Sequence, residues 1–212
     1  MENSSLILLS IAIVCGFLYG LFWLSQATTW KRSILKTLPV TLLAFTALIA
    51  GLPVLLIAAF CFSAAGDAFL SRTGDKFFLA GLSSFLLAHL AYTVLFITNP
   101  ASLAIAPAIE IWVWLVTGLL VFCILISLWR HLGDMRLAVL VYSLAIGSMN
   151  IAAWITGQNY LLLAGVILFV FSDIILAHEL FVWKNSKAKN LASIVVWYSY
   201  FPAQALILYS YL

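Results

Sequence analysis

Charged side chains are scarce in this sequence: Asp, Glu, Lys and Arg together make up 8% of its 212 residues. Soluble domains carry about 25% of such residues. Because so few charges cannot cover a water-facing surface, the composition excludes a soluble protein of ordinary kind. Hydrophobic residues make up 66% of the chain, so we predict one integral membrane domain over residues 1–212.

Cysteine is also sparse, and its spacing excludes two further kinds of site. Cys15, Cys61 and Cys123 each stand in an apolar run, without a histidine or second cysteine at ligand spacing. We therefore predict neither a disulfide framework nor a zinc site.

The basic residues are scattered over short loops, so no nucleic-acid partner is predicted. No sequence motif calls for a cofactor or a metal.

Long apolar segments account for nearly the whole chain. Each has roughly the length that an α-helix needs to cross a bilayer, about 17–25 residues. We predict an all-α membrane protein with eight transmembrane helices at residues 5–24, 34–50, 53–71, 76–97, 108–129, 136–155, 159–182 and 190–211.

The basic residues predict the orientation of these helices. All ten Lys and Arg residues fall in the connections after helices 1, 3, 5 and 7. The positive-inside rule places those connections in the cytoplasm, so both termini are predicted to be non-cytoplasmic. We expect a multi-pass protein of the bacterial inner (plasma) membrane, and the sequence leaves its oligomeric state open.

Two aspartates lie inside predicted membrane helices, Asp67 on helix 3 and Asp173 on helix 7. A carboxylate at bilayer depth costs roughly 2.5–3.5 kcal/mol even on insertion scales. The two are 106 residues apart, half the chain, and Gly66-Asp67 is echoed by Ser172-Asp173. The echo leaves open whether the chain consists of two parallel four-helix repeats. In either case both carboxylates are predicted in the cytoplasmic half of the membrane.

Other polar residues recur at helical spacing, and we expect them to meet the two aspartates. Polar side chains avoid lipid, so such stripes should face the interior of the helix bundle. Interhelical hydrogen bonding without a catalytic role is the competing interpretation. The predicted pocket residues are Ser63, His89, Tyr92, Tyr142, Asn150, Ser172, Tyr200 and Gln204.

Two carboxylates in one buried pocket indicate acid–base chemistry. When two acids share such a site, one can keep its proton while the other is ionised. The pair can then protonate a substrate and activate water. A pocket at this depth suits a lipid whose tail lies among the helices. Which aspartate acts as the acid stays open.

Several of these residues stand in an order and spacing that resemble one family of membrane proteins. The matching pieces are Ser63-x-x-Gly66-Asp67-x-x-Leu70, Gly81 through His89-x-x-Tyr92, Tyr142 and Met149, Gly165-x-x-x-Phe169-x-x-Ser172-Asp173, and Tyr200-x-x-Ala203-Gln204. Together they resemble the YhhN family, whose characterised members are lysoplasmalogenases.

The resemblance implies hydrolysis of the vinyl-ether bond of 1-alkenyl lysophospholipids, which gives a fatty aldehyde and a glycerophospho head group. Its partners would be the lysophospholipid substrate and membrane lipids. Our hypothesis gives Asp67 and Asp173 the catalytic roles and the other pocket residues substrate-binding or supporting roles.

Two other classes of function fit the same sequence. Buried acids on repeated helices also suit a proton-coupled carrier or a lipid flippase. The two halves show little Gly or Pro interruption at matching places, which disfavours the carrier. The third hypothesis is a structural or assembly subunit, in which loss of an aspartate changes stability or binding without any effect on chemistry.

Overall fold

The computed structural model describes residues 2–24, 26–99, 107–156 and 159–212. Within these ranges it contains eight α-helices, a short 3-10 turn at Gly133–Met135 and no strand, so the all-helical prediction is confirmed. The helices are α1 (Glu2–Phe22), α2 (Trp30–Ile49), α3 (Val54–Leu70), α4 (Asp75–Thr98), α5 (Pro107–Trp129), α6 (Arg136–Ile155), α7 (Tyr160–Phe181) and α8 (Ser186–Tyr209).

Over the described residues, seven of the eight helices are long and apolar enough to cross a membrane. The exception, α3, is apolar but has 17 residues, about the lower limit for a span. The chain is therefore a multi-pass membrane protein. The eighth span and the side of the membrane on which each terminus lies remain predictions.

Side-chain caps decide where three of the helices begin. Thr29 caps α2 by accepting a hydrogen bond from the Arg32 amide at 3.2 Å, and Asn159 and Asn185 cap α7 and α8 in the same way. Such caps satisfy amides that have no partner within the helix. As a result α2 begins at Trp30, four residues before its predicted start, and Lys36 lies in its second turn.

The closest helix pairs are α3 with α4 and α7 with α8, the equivalent pairs of the two halves of the chain. Glycine permits both approaches. A Cβ on Gly165 would come within 2.9 Å of the Ala203 carbonyl oxygen, and one on Gly81 within 2.7 Å of the Leu70 side chain. These contacts bring the aspartate-bearing helices α3 and α7 against the aromatic faces of α4 and α8.

Helix α5 lies at the edge of the bundle. It packs on α6 and only lightly on α7. Its outward side chains include Leu119, Phe122 and Ile126, each at least 60% exposed, and in a membrane they would face lipid. On its inner side, α5 forms one wall of an apolar cavity that reaches the candidate site.

Candidate functional site

Both aspartates line one cavity of about 320 Å³, to which α1, α2, α3, α4, α7 and α8 contribute. Asp67 is 1% exposed and Asp173 is 8% exposed. The sequence placed these residues on separate helices, and the structure brings them to the wall of one shared cavity. Charge in such a site is screened less than at a surface, so each carboxylate needs partners close by.

Asp67 is held by a cation and a phenol. The Lys36 ammonium lies 3.1 Å from Oδ1, and the Tyr200 hydroxyl donates a hydrogen bond of 2.8 Å to Oδ2. Both carboxylate oxygens are therefore engaged. Because lysine brings a full positive charge to a buried site, the pair matches an ionised Asp67 with its counter-ion.

Asp173 is held by an imidazole and a phenol, both at the same oxygen. Its Oδ2 lies 2.9 Å from Nε2 of His89 and accepts a hydrogen bond of 3.2 Å from the Tyr142 hydroxyl. Its Oδ1 makes no hydrogen bond with any described residue, and Asp173 lines the cavity. The second nitrogen of His89, Nδ1, is buried and likewise has no partner in the described part of the chain.

One aromatic ring separates the two carboxylate networks. The fully buried Phe169 packs edge-on against Tyr200 at 5.4 Å between ring centroids and against His89 at 4.9 Å. Phe85 contacts Tyr200 from another side at 5.7 Å, in space left by Gly66, whose Cβ would come within 2.6 Å of that ring. These contacts fix the directions of both hydrogen-bonding side chains.

The two predicted serines differ in position. Ser172 lines the cavity, and its hydroxyl donates to the Phe169 carbonyl oxygen at 2.8 Å. Ser63 is fully buried one turn before Asp67 but does not line the cavity. Its hydroxyl has no partner among the residues that the structure describes. Ser172 therefore lies at the cavity wall, and Ser63 lies within the packing of α3.

Three other predicted residues form pairs that do not include a carboxylate. Tyr92 donates to the Gln204 side-chain oxygen, and both residues are fully buried. Asn150 donates to the Thr117 hydroxyl at 2.9 Å, which ties α6 to α5. These three residues therefore fit the competing interpretation, in which polar side chains join helices by hydrogen bonds without a catalytic role.

Three cavity residues escaped the sequence analysis because their charges were used only to orient the helices. Lys36, Arg32 and Arg72 all line the cavity that holds the aspartates. The Arg32 guanidinium donates to backbone carbonyls at the end of α1, and that of Arg72 stacks over the Trp30 ring. The cap at Thr29 was the signal that could have extended α2 and placed Lys36 on its inner face.

A second cavity adjoins the first and is mainly apolar. Leucine, isoleucine, valine and phenylalanine side chains of α4 to α7 form most of its wall, with Tyr142 and Asn150 among the polar exceptions. Asp173 lines both cavities and therefore stands where a charged space meets an apolar one. The residues common to the two cavities are Leu70, Phe78, Phe85, Asp173, Leu176 and Leu180.

The groups around the two carboxylates are not arranged as a set of metal ligands in the described part of the chain. Among the described residues no group of three or more His, Cys, Asp or Glu side chains converges as metal ligands would. Each carboxylate instead faces nitrogen and phenol groups. One faces the Lys36 ammonium and the other faces the His89 imidazole, the kind of side chain that most often acts as a general acid or base.

Comparison with known proteins identifies a family but no individual relative. The model of the YhhN family matches residues 31–211. Searches of curated proteins and of solved structures gave no significant match. The matched region contains both aspartates and the three cavity cations, whereas Tyr19 of α1, which also lines the cavity, precedes it.

Proposed function

The chain belongs to the YhhN family, and from this premise we propose that it is a membrane-embedded hydrolase of lysoplasmalogenase type. Its substrate is a 1-alkenyl lysophospholipid, and its products are a fatty aldehyde and a glycerophospho head group. One observation carries the proposal: Asp67 and Asp173, from different helices, line a common cavity within an apolar helix bundle. Structural roles alone do not require two acids there.

In the proposed first step, the Asp173–His89 pair supplies the proton. The pair holds one transferable proton, either as two neutral groups or as carboxylate and imidazolium. The proton moves to the vinyl carbon distal to the ether oxygen, and the π electrons form the new C–H bond. The carbon attached to oxygen becomes an oxocarbenium ion. A positioned acid typically accelerates such a step about 10²–10⁴-fold.

In the second step, Asp67 stabilises the cation and water attacks it. The Lys36 ion pair keeps Asp67 negative beside the developing charge. Water adds to the oxocarbenium carbon and gives its proton to Asp173, which restores the acid and leaves a hemiacetal. The hemiacetal then transfers its hydroxyl proton to the glycerol oxygen, and the C–O bond breaks to release aldehyde and alcohol.

Mass spectrometry of products tests this proposal directly. Purified protein is offered 1-alkenyl lysophosphatidylethanolamine in D₂O. We expect a fatty aldehyde with one deuterium on the carbon next to the carbonyl, because that carbon receives the first proton. If Asp67→Asn and Asp173→Asn, both folded, retain full turnover, the mechanism is wrong.

The same preparation separates the hydrolase from a carrier. A proton-coupled carrier or flippase would move the lysolipid across proteoliposomes without breaking it. Accumulation of intact lysolipid with no aldehyde would replace the hydrolase proposal by the carrier. Aldehyde released in detergent solution, where no gradient exists, supports the enzyme.

We further propose that the basic connections lie in the cytoplasm of a bacterial cell, so that the lipid head group binds at the cytoplasmic face of the inner membrane. The distribution of all ten Lys and Arg residues supports this orientation. Alkaline phosphatase fused to the C-terminus should be active in a bacterial host, because that terminus is then periplasmic. A fluorescent fusion that matures only in the cytoplasm should stay dark.

A further inference from the structure

We infer that one single-chain amphiphile binds across the two adjoining cavities, with its hydrocarbon chain between α5, α6 and α7 and its polar head beside α2 and α3. The inference rests on the proposed function for the identity of the bond at Asp173. The placement of the chain and the head rests on the two cavities themselves.

The two cavities offer opposite environments side by side. The apolar cavity can hold a hydrocarbon chain at no desolvation cost, whereas it would penalise a charged head. The other cavity is lined by Arg32, Lys36 and Arg72 together with acidic residues. A ligand that fits both spaces therefore has one apolar end and one charged end.

The charged end of that ligand is expected to carry a phosphate. Lys36 is paired with Asp67, and two nitrogens of Arg32 donate to backbone carbonyls. The Arg72 guanidinium remains as the cation at this cavity with donors to offer. One Arg72 nitrogen, Nη2, is buried without a hydrogen-bond partner among the described residues. Guanidinium groups bind phosphate oxygens with two parallel hydrogen bonds.

The junction between head and chain then falls beside Asp173, the ionisable residue that lines both cavities. In a 1-alkenyl lysolipid the vinyl-ether bond joins the hydrocarbon chain to glycerol, so it lies at this junction. The unpaired Oδ1 of Asp173 is the atom that would deliver the proton. The position of the site along the lipid thus selects the first bond of the chain.

Photo-crosslinking tests the chain position without relying on turnover. The probe is a 1-alkyl lysophosphatidylethanolamine, whose saturated ether lacks a vinyl group, with a diazirine near the end of its chain. In purified protein we expect attachment to inward residues of α5 and α6 such as Ile124 and Ile146, which line the apolar cavity. Excess unlabelled lysolipid should compete with this labelling.

Two tryptophan substitutions on α5 form a matched pair. Ile124→Trp fills the apolar cavity, and we expect it to reduce labelling at least five-fold. It should also raise KM, and the increase should be larger for a long-chain than for a short-chain lysolipid. Leu119→Trp lies five residues earlier on the lipid-facing side, where Leu119 is 63% exposed, and should change neither quantity. Should Ile124→Trp fail to fold, Val121→Phe obstructs the same cavity.

The outcomes separate the two proposals. Labelling confined to lipid-facing residues such as Leu119, and unaffected by a folded cavity-filling variant, overturns the inferred chain site even if aldehyde is released. Competable labelling at Ile124 without aldehyde from any alkenyl lysolipid supports the chain site and refutes the proposed hydrolase.

Discussion

Asp67 and Asp173 each have one phenol and one nitrogen group as partners, but the two nitrogen groups differ in kind. Each aspartate accepts one phenol hydrogen bond and faces one nitrogen group on another helix. At Asp67 the nitrogen group is the Lys36 ammonium, which holds a fixed positive charge. At Asp173 it is the imidazole of His89, the kind of side chain that most often acts as a general acid or base. Equivalent positions in the two halves thus have unequal partners.

The two aspartates also differ in the cavities that they line. Asp67 lines only the cavity that Arg32 and Arg72 also line, whereas Asp173 lines that cavity and the apolar one as well. A substrate with a charged head and a hydrocarbon tail would meet a fixed anion at one end of the site and an exchangeable proton at the other. This asymmetry is the basis on which we assign different roles to the two acids.

The largest expected effect is on turnover when the proton donor is removed. Asp173→Asn should lower aldehyde release about a thousand-fold, within the usual range for a general acid. Asp67→Asn should lower aldehyde release about a hundred-fold, because it removes electrostatic stabilisation only. Asp134→Asn, at the 3-10 turn, is the matched control. A greater loss with Asp67→Asn would reverse the assigned roles.

The next effect is on stability, and it tests whether Lys36 neutralises Asp67. Lys36→Met leaves a buried carboxylate without its counter-ion and should lower the free energy of unfolding by about 3 kcal/mol. Adding Asp67→Asn should recover much of that loss, since no charge then remains unpaired. Thermal unfolding in detergent compares the two single variants with the double variant. Losses that simply add would show that the residues are not coupled.

Smaller effects are expected from the two phenols. Tyr142→Phe and Tyr200→Phe each remove one hydrogen bond to a carboxylate, worth about 1.5 kcal/mol or slightly more, so kcat should fall about ten-fold. Tyr198→Phe is the control, because that hydroxyl lies 3.5 Å from a backbone oxygen and is exposed. Unchanged kcat in both variants would mean that the phenols do not orient the acids.

The smallest effect should appear in binding on the charged side. Arg72→Gln should raise KM for a phosphate-bearing alkenyl lysolipid by about five-fold while leaving a phosphate-free 1-alkenylglycerol unaffected. Arg136→Gln is the matched control, because Arg136 also stacks on a tryptophan but lines neither cavity. Equal effects on both substrates would argue against a phosphate site at Arg72.

The sequence predicted the aspartates and several of their neighbours from simple rules. Helical spacing placed His89, Tyr142 and Tyr200 toward the interior, and the structure brings each of them to a carboxylate. The same rules grouped Asn150 with the pocket, yet it bonds Thr117 of α5 instead. Spacing gives the face of a helix, whereas the partner on that face depends on which helix packs there.

The helices, the membrane environment and the two acids inside it could be predicted before any coordinates, because hydropathy, helical spacing and the cost of burying a charge are local properties of the chain. The pairing of Lys36 with Asp67 and of His89 with Asp173 could not be predicted in this way, since those partners come from other helices and meet through helix packing. The tertiary structure also placed Asp173 at the border of two cavities. That border arises from the packing of α5 against α6 and α7, which no periodicity along one helix encodes.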